Sequence, residues 1–324
     1  MKTITIFFGF FLVGVFVFLE VEANYHDAVG IPAAKKIKDL EEAMQADGTI
    51  NIESRIIGGE KAPHPYPFFA GLIISLIGKP LNYSVCGSSL LSSNRVVTAA
   101  HCYFDGVDRA SKFEVVLGSN LLYQGGDRHV TRHIQSAQTR RGDVTQLFFN
   151  GENHPMTSLA RAGRKGVSDL LTTPACRAGA PGNPLDLVHP IRLPTNYEQT
   201  NTFEGYMAVA VGFGKTSSEQ PSAASVLSHV ELQVIDNAQC AASYNIYLVT
   251  PNTICTSGID IAGSVGVCSG DSGGPLFVLD SNRDPVLIGI TSFVRNETVP
   301  CVPGTPSGYS RVTSFMNFIK QHLY

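Results

Sequence analysis

Beyond residue 56 the chain alternates short apolar runs, at 69–77, 113–117, 207–211, 230–234 and 286–293, with clusters of Gly, Pro, Ser and Asn. Runs of four to nine residues rich in Val, Ile and Phe, each closed by turn-forming residues, are the signature of partly buried β-strands. An all-β domain is therefore predicted. The last segment differs: in 314–324, Phe315, Phe318, Ile319 and Leu323 recur at helical spacing after Thr313 and Ser314, two residues able to cap. This predicts a single C-terminal helix packed on the β domain.

The regions before and inside this pattern read differently. Lys2, an apolar run over 4–19 and the small-residue site Val21-Glu22-Ala23 have the layout of a signal peptide, with cleavage expected after Ala23. The run is shorter than the ~20 apolar residues of a spanning helix. Residues 24–55 are polar, lack cysteine and carry a charged helical patch at 35–44, which suggests a detachable propeptide. Residues 136–186 are rich in Arg, Gly, Ala, Pro and Thr and show no β-alternation. They read as foreign to their surroundings, either a true insertion or an error in the gene sequence.

Composition narrows the class. With 44% hydrophobic and 16% charged residues, the chain has material for a sizeable core and is unlike a disordered protein. A formal charge of -3 supplies no field that would draw nucleic acid or an anionic membrane. Export to an oxidising compartment makes the seven cysteines readable as a disulfide framework with one left over.

Three strings carry the candidate chemistry: Arg55-Ile56-Ile57-Gly58-Gly59, then Val96-Val97-Thr98-Ala99-Ala100-His101-Cys102, then Gly270-Asp271-Ser272-Gly273-Gly274-Pro275. An imidazole titrates near neutrality and can take and return a proton. A serine between glycines sits on a backbone free to turn sharply, with amides that can point at one spot. In this order the strings resemble the chymotrypsin/trypsin family of serine proteases, over 56–135 and 187–324, and look most similar to insect midgut chymotrypsin-like or elastase-like enzymes. The resemblance implies two six-stranded antiparallel β-barrels with a C-terminal helix over 56–324. It implies a secreted, digestive, monomeric endopeptidase with protein or peptide substrates and no cofactor or metal.

By the same resemblance Ser272 is the nucleophile, His101 its base, and the amides of Gly270 and Ser272 form the oxyanion hole. A trypsin-like protease would cut after Arg55, and the new ammonium of Ile56 would pair with Asp271. Cys86 would pair with Cys102, Cys240 with Cys255 and Cys268 with Cys301, leaving Cys176. The family's Asn-Asp-Ile-Ala-Leu type string, source of the buried aspartate, has no match here. Counting back from His189-Pro190-Ile191-Arg192-Leu193-Pro194 selects Asp169, and counting forward from His101 selects Asp143; Asp169 is preferred. The substrate pocket would be formed by Gly266, Ser292, Val294 and Ser307. None is acidic, so cleavage after uncharged residues is expected, small aliphatic side chains slightly ahead of aromatic ones. Asn82 and Asn296 head possible glycosylation sequons. The competing reading, a catalytically silent homologue acting as a secreted binding or regulatory protein, turns on whether a carboxylate reaches the ring of His101.

Overall fold

A computed structural model describes residues 25–47, 57–137, 144–149, 188–214, 226–244, 248–261, 263–293 and 301–323. The β-rich runs form two antiparallel barrels. In the first, β2 (Phe69–Leu76) is buried along almost its whole length and is flanked by β3 (Lys79–Ser92) and β5 (Ala110–Leu117). β3 turns into β4 (Arg95–Ala99), which pairs with β7 (Val144–Phe149); β7 pairs with β6 (Asp127–Ala137), and β6 returns to β5. Closure leaves no edge strand to recruit a neighbour.

The second barrel comes from the C-terminal half. β8 (Met207–Gly212), β9 (Ser228–Ile235), β10 (Thr253–Thr256), β15 (Ser307–Arg311), β14 (Pro285–Phe293) and β13 (Pro275–Leu279) form a ring, because β8 pairs with both β9 and β13. The short β1 (Glu60–Lys61) adds to the outside of β9, while β11 (Ile259–Asp260) and β12 (Gly263–Ser264) form a small ribbon apart. Each inner face buries Val, Ile and Leu, so a second cluster around Val230, Leu232, Ile254, Leu276 and Ile288 fills this ring. Aromatic rings join the barrels: Phe68 meets Phe277 edge-on at 5.1 Å, with Tyr66 packed beside both. The described residues thus form the predicted all-β domain.

Besides the strands, the described residues include three α-helices. α2 (Asn237–Ser243) is capped by the Asp236 carboxylate, which accepts from the Ala238 amide. The predicted C-terminal helix is present but begins as a 3-10 turn, Val312–Phe315, before α3 (Met316–Gln321). Its buried stripe of Val312, Phe315, Met316 and Ile319 enters the core of the first barrel, and Arg95 Nε donates to the His322 carbonyl at 3.1 Å, satisfying the helix end.

One expectation needs correction. Residues 144–149 lie in the segment read as lacking β character, yet they are a barrel strand, recruited by backbone pairing on both sides. Residues 25–47, read as part of a polar segment, pack on the domain: α1 (Ile31–Asp47) turns Ala33, Ala34, Ile37 and Glu41 toward the first barrel. Those spacings make one helical face. The small size of the alanines and the carboxylate of Glu41 hide that face from a hydrophobicity reading.

Ile319 is fully buried. Replacing it with Ala is expected to cost about 3 kcal/mol, read as a lower urea midpoint with an unchanged denaturant slope.

Candidate active site

Two loops from different barrels meet in one cleft. β4 ends in a 3-10 turn, Ala100–Cys102, that carries His101, and the chain before β13 carries Ser272; both are buried. The amide of Gly87 on β3 donates to the Ser272 carbonyl at 2.7 Å, and Cys102 Sγ lies 4.0 Å from that oxygen. The disulfide Cys86–Cys102 fastens the histidine turn to β3. Its sulfurs lie near His101, but in a disulfide neither can serve as a thiolate ligand to a metal.

The glycines around Ser272 follow from this close approach. Gly270 has φ +105° and Gly273 φ +80°, in a region costly for residues with a Cβ, and a methyl at Gly273 would lie 2.0 Å from Thr98 Oγ1. Among the described residues, no main-chain carbonyl engages the amide of Gly270 or Ser272. That arrangement suits a pair of donors for an oxyanion.

Asp271 is fully buried and points away from Ser272. Its carboxylate accepts from the Gly214 amide at 2.7 Å and the Cys268 amide at 2.8 Å. A Cβ on Gly212 or Gly214 would fall 2.1 or 2.2 Å from a carboxylate oxygen, which explains glycine at both positions. Burial drives the acid up to about 7, only partly opposed by the two amides. Arg55 and Ile56 lie outside the described residues. Their neighbour Ile57 is seated: it forms a bridge with Gly266, whose amide donates to the Ile57 carbonyl at 3.2 Å.

Gly266 also lines a small pocket with Val265, Val267, Cys301, Pro306 and Ser307. Its φ of +155° favours glycine, and an added Cβ would approach Ser307 Oγ at 3.0 Å. Ser307 is buried and accepts from the Val267 amide at 3.3 Å. No carboxylate lines this pocket among the described residues. Ser292 sits at a register shift in the β14–β15 pairing between Thr291 and Phe293. The Phe293 ring covers Gly308, where a Cβ would come within 2.2 Å of it. The disulfide Cys268–Cys301 spans the pocket wall, and Cys240–Cys255 ties α2 to β10. Val294, Asp143, Asp169 and Cys176 lie outside the described residues.

Sequence reasoning did not anticipate the groups that cover the cleft. The Tyr25 ring packs on His101 with centroids 4.6 Å apart, and the Tyr25 hydroxyl lies beside the Ser272 side chain. Burial, helped by the neighbouring His26 ring, pushes His101 down to about 4 against the pull of Asp105. Asp105, four residues past His101, is itself committed: one oxygen accepts from the Val107 and Asp108 amides and the other from the His26 amide.

Two barrels with a histidine turn and a Gly-Asp-Ser-Gly-Gly loop meeting between them define a serine peptidase architecture. Residues 56–157 and 173–319 match the trypsin family, and the chain belongs to that family. It is 32% identical to a collagenase of Hypoderma lineatum over 83% of this chain and 88% of that protein. It is 31% identical to brachyurin of Leptuca pugilator, over 82% of this chain and 97% of the relative. A solved structure of HL collagenase superposes with a TM-score of 0.62 at 30% identity, covering 83% of this chain and 98% of that one. The chain is a serine endopeptidase, a hydrolase. The family match skips 158–172, which contains Asp169, and includes Asp143.

In the uncut chain Asp271 binds its proton more tightly when folded than when unfolded, where it titrates near 3.8. The folded state therefore holds the extra proton between pH 4 and 7, and stability falls as pH rises through that window. The loss is at most about 4 kcal/mol. Thermal midpoints of uncut protein carrying Ser272→Ala should fall between pH 4.5 and 7.5, and adding Asp271→Asn should flatten that part of the profile.

Proposed function

We propose that this endopeptidase is an exported digestive zymogen, activated by a trypsin-like cut after Arg55 and acting through His101, Ser272 and Asp143. The observation that carries the assignment of Asp143 is a register. β7 begins at Val144, which pairs with Ala99, two residues before His101. Asp143 immediately precedes Val144 in the sequence, and this neighbourhood to the strand beside the histidine turn supports its assignment. Asp169 has no comparable support: it falls in the segment that the family match skips. An exported compartment agrees with the three disulfides.

In the reaction the Ser272 oxygen attacks the scissile carbonyl carbon while its proton passes to His101 Nε2. The carbonyl oxygen becomes an anion held by the amides of Gly270 and Ser272, donors each worth roughly 3 kcal/mol in the transition state. The anion collapses, the carbon–nitrogen bond breaks, and His101 gives its proton to the departing amine. A water molecule then gives a proton to His101 and attacks the acyl ester; as the intermediate collapses His101 returns that proton to the Ser272 oxygen, and the new carboxyl end is released. Asp143 holds the imidazole in the productive tautomer and stabilises its cationic form.

The activation step follows from the buried acid. Asp271 has two amide donors but no cation facing it among the described residues. Freed by the cut, the amine of residue 56 would supply one. A buried ion pair of this kind costs about 3–5 kcal/mol to break from one side. Glycine and serine in the pocket in place of a carboxylate favour uncharged side chains before the scissile bond.

Asp143→Asn is expected to lower kcat by about 10⁴ with little change in KM, whereas Asp169→Asn should leave both constants at wild-type values. The reverse pattern would return the role to Asp169. In a panel of peptide substrates varied at the residue before the cut, those with uncharged side chains should have the highest kcat/KM; arginine in first place would overturn the specificity.

A further inference from the structure

The leader binds the domain at three places, each with its own chemistry. At one end, the Glu41 carboxylate is almost completely buried and accepts from three successive amides, Leu122 at 2.6 Å, Tyr123 at 2.8 Å and Gln124 at 2.7 Å. Consecutive amides converging on one carboxylate form an anion nest, and three charge-assisted bonds are a large commitment for a merely solvated tail. In the middle, Ala33, Ala34 and Ile37 pack into the core of the first barrel. At the other end, His26 is fully buried, its amide donating to Asp105 at 2.8 Å and its Nδ1 lying 2.8 Å from Ser84 Oγ.

The last contact falls on the reactive groups. The Tyr25 hydroxyl donates to the Val85 carbonyl at 2.9 Å beside the side chain of Ser272, with the ring against His101. His101 Nε2 is buried and has no hydrogen-bond partner among the described residues. A phenol thus covers the imidazole, whose Nε2 is left without the serine as a partner. A phenol offers no carbonyl for the nucleophile to attack, so the occupant cannot be turned over.

We propose that residues 25–47 are a built-in inhibitor of this endopeptidase, with Tyr25 filling the cleft between His101 and Ser272, and that the leader keeps its affinity for the domain after the cut at Arg55. Residues 24–55 contain no cysteine, so no disulfide retains the cut leader, and among the described residues these contacts and the Lys79–Asp27 ion pair at 2.6 Å hold it. Activation then has two stages: the cut frees the amine of residue 56, and dissociation of the leader opens the cleft. The proposal rests on the reading of His101 and Ser272 as the reacting pair.

The test uses the full chain with residues 51–55 exchanged for an enteropeptidase recognition sequence, so that one cut releases the leader intact. Hydrolysis of a small chromogenic amide is followed after complete cleavage, over a series of enzyme dilutions. Activity per molecule should rise on dilution as the leader leaves, and a synthetic peptide spanning 24–55 should reverse the rise competitively with substrate. With Tyr25→Ala the cut protein should be fully active at every dilution, and the corresponding peptide should inhibit about a hundredfold more weakly. Tyr25→Phe, which keeps the ring and loses the hydroxyl, should fall between the two, and Glu41→Ala should weaken inhibition without touching the cleft. Activity per molecule that does not depend on dilution, together with no effect of the added peptide, overturns the proposal and leaves the endopeptidase reading intact. Equal inhibition by the wild-type and Tyr25→Ala peptides overturns the plug. A leader-free protein that neither hydrolyses the amide nor reacts with a serine-directed phosphonate overturns the underlying reading, and this proposal with it.

Discussion

The structure depends on one seam, the place where backbone from the second barrel lies directly against backbone from the first. The Gly87 amide bonds to the Ser272 carbonyl, Gly273 fits under Thr98, and a Cβ on Gly87 would come within 2.8 Å of Gly274. Side chains cannot be inserted there without separating the barrels. Because a close-packed interior transmits rather than absorbs displacement, this contact sets where the serine sits relative to the histidine turn. The disulfide from Cys86 to Cys102 and the Thr98 hydroxyl, donating to the Gly87 carbonyl at 2.7 Å, hold the histidine side of the seam in the same way.

Much of this was legible in the residues, and the reasons differ from part to part. The strands around Phe69, Phe113, Met207, Val230 and Val286 could be read because their apolar runs are bounded by turn formers and need no distant partner to be recognised. The strand Val144–Phe149 could not. Its neighbours are basic and glycine-rich, and what makes it a strand is the pairing of both its edges, with β4 and β6, which a local pattern does not contain. The preference for Asp169 over Asp143 was likewise formed without that strand. Counting from a downstream landmark crosses the segment that the family match skips, whereas the barrel register counts from a nearby one.

The cover on the cleft was hidden for another reason. A helix that docks through two alanines, one isoleucine and a buried glutamate has little hydrophobic amplitude, and its outer face, with Lys35 bonded to Asp39, reads as a solvated stretch. The glutamate is the informative residue, but its meaning lies in the three amides of the 122–124 turn. Tyr25 likewise carries no local signal. What matters is its place against His101, some 75 residues away in the chain.

The bridge between Ile57 and Gly266 also acts as a ruler. In the activation proposed above, the second residue of the cut chain would already be fixed on the wall of the pocket, and the first would have a reach of only one peptide unit, ~3.8 Å. A terminus longer by one or two residues would carry its positive charge past the socket around Asp271, and a shorter one would stop outside it. Imprecise processing would therefore yield a folded but unswitched protein, however efficiently the chain was cut. The same short reach makes the docking of the new end intramolecular and independent of how dilute the protein becomes.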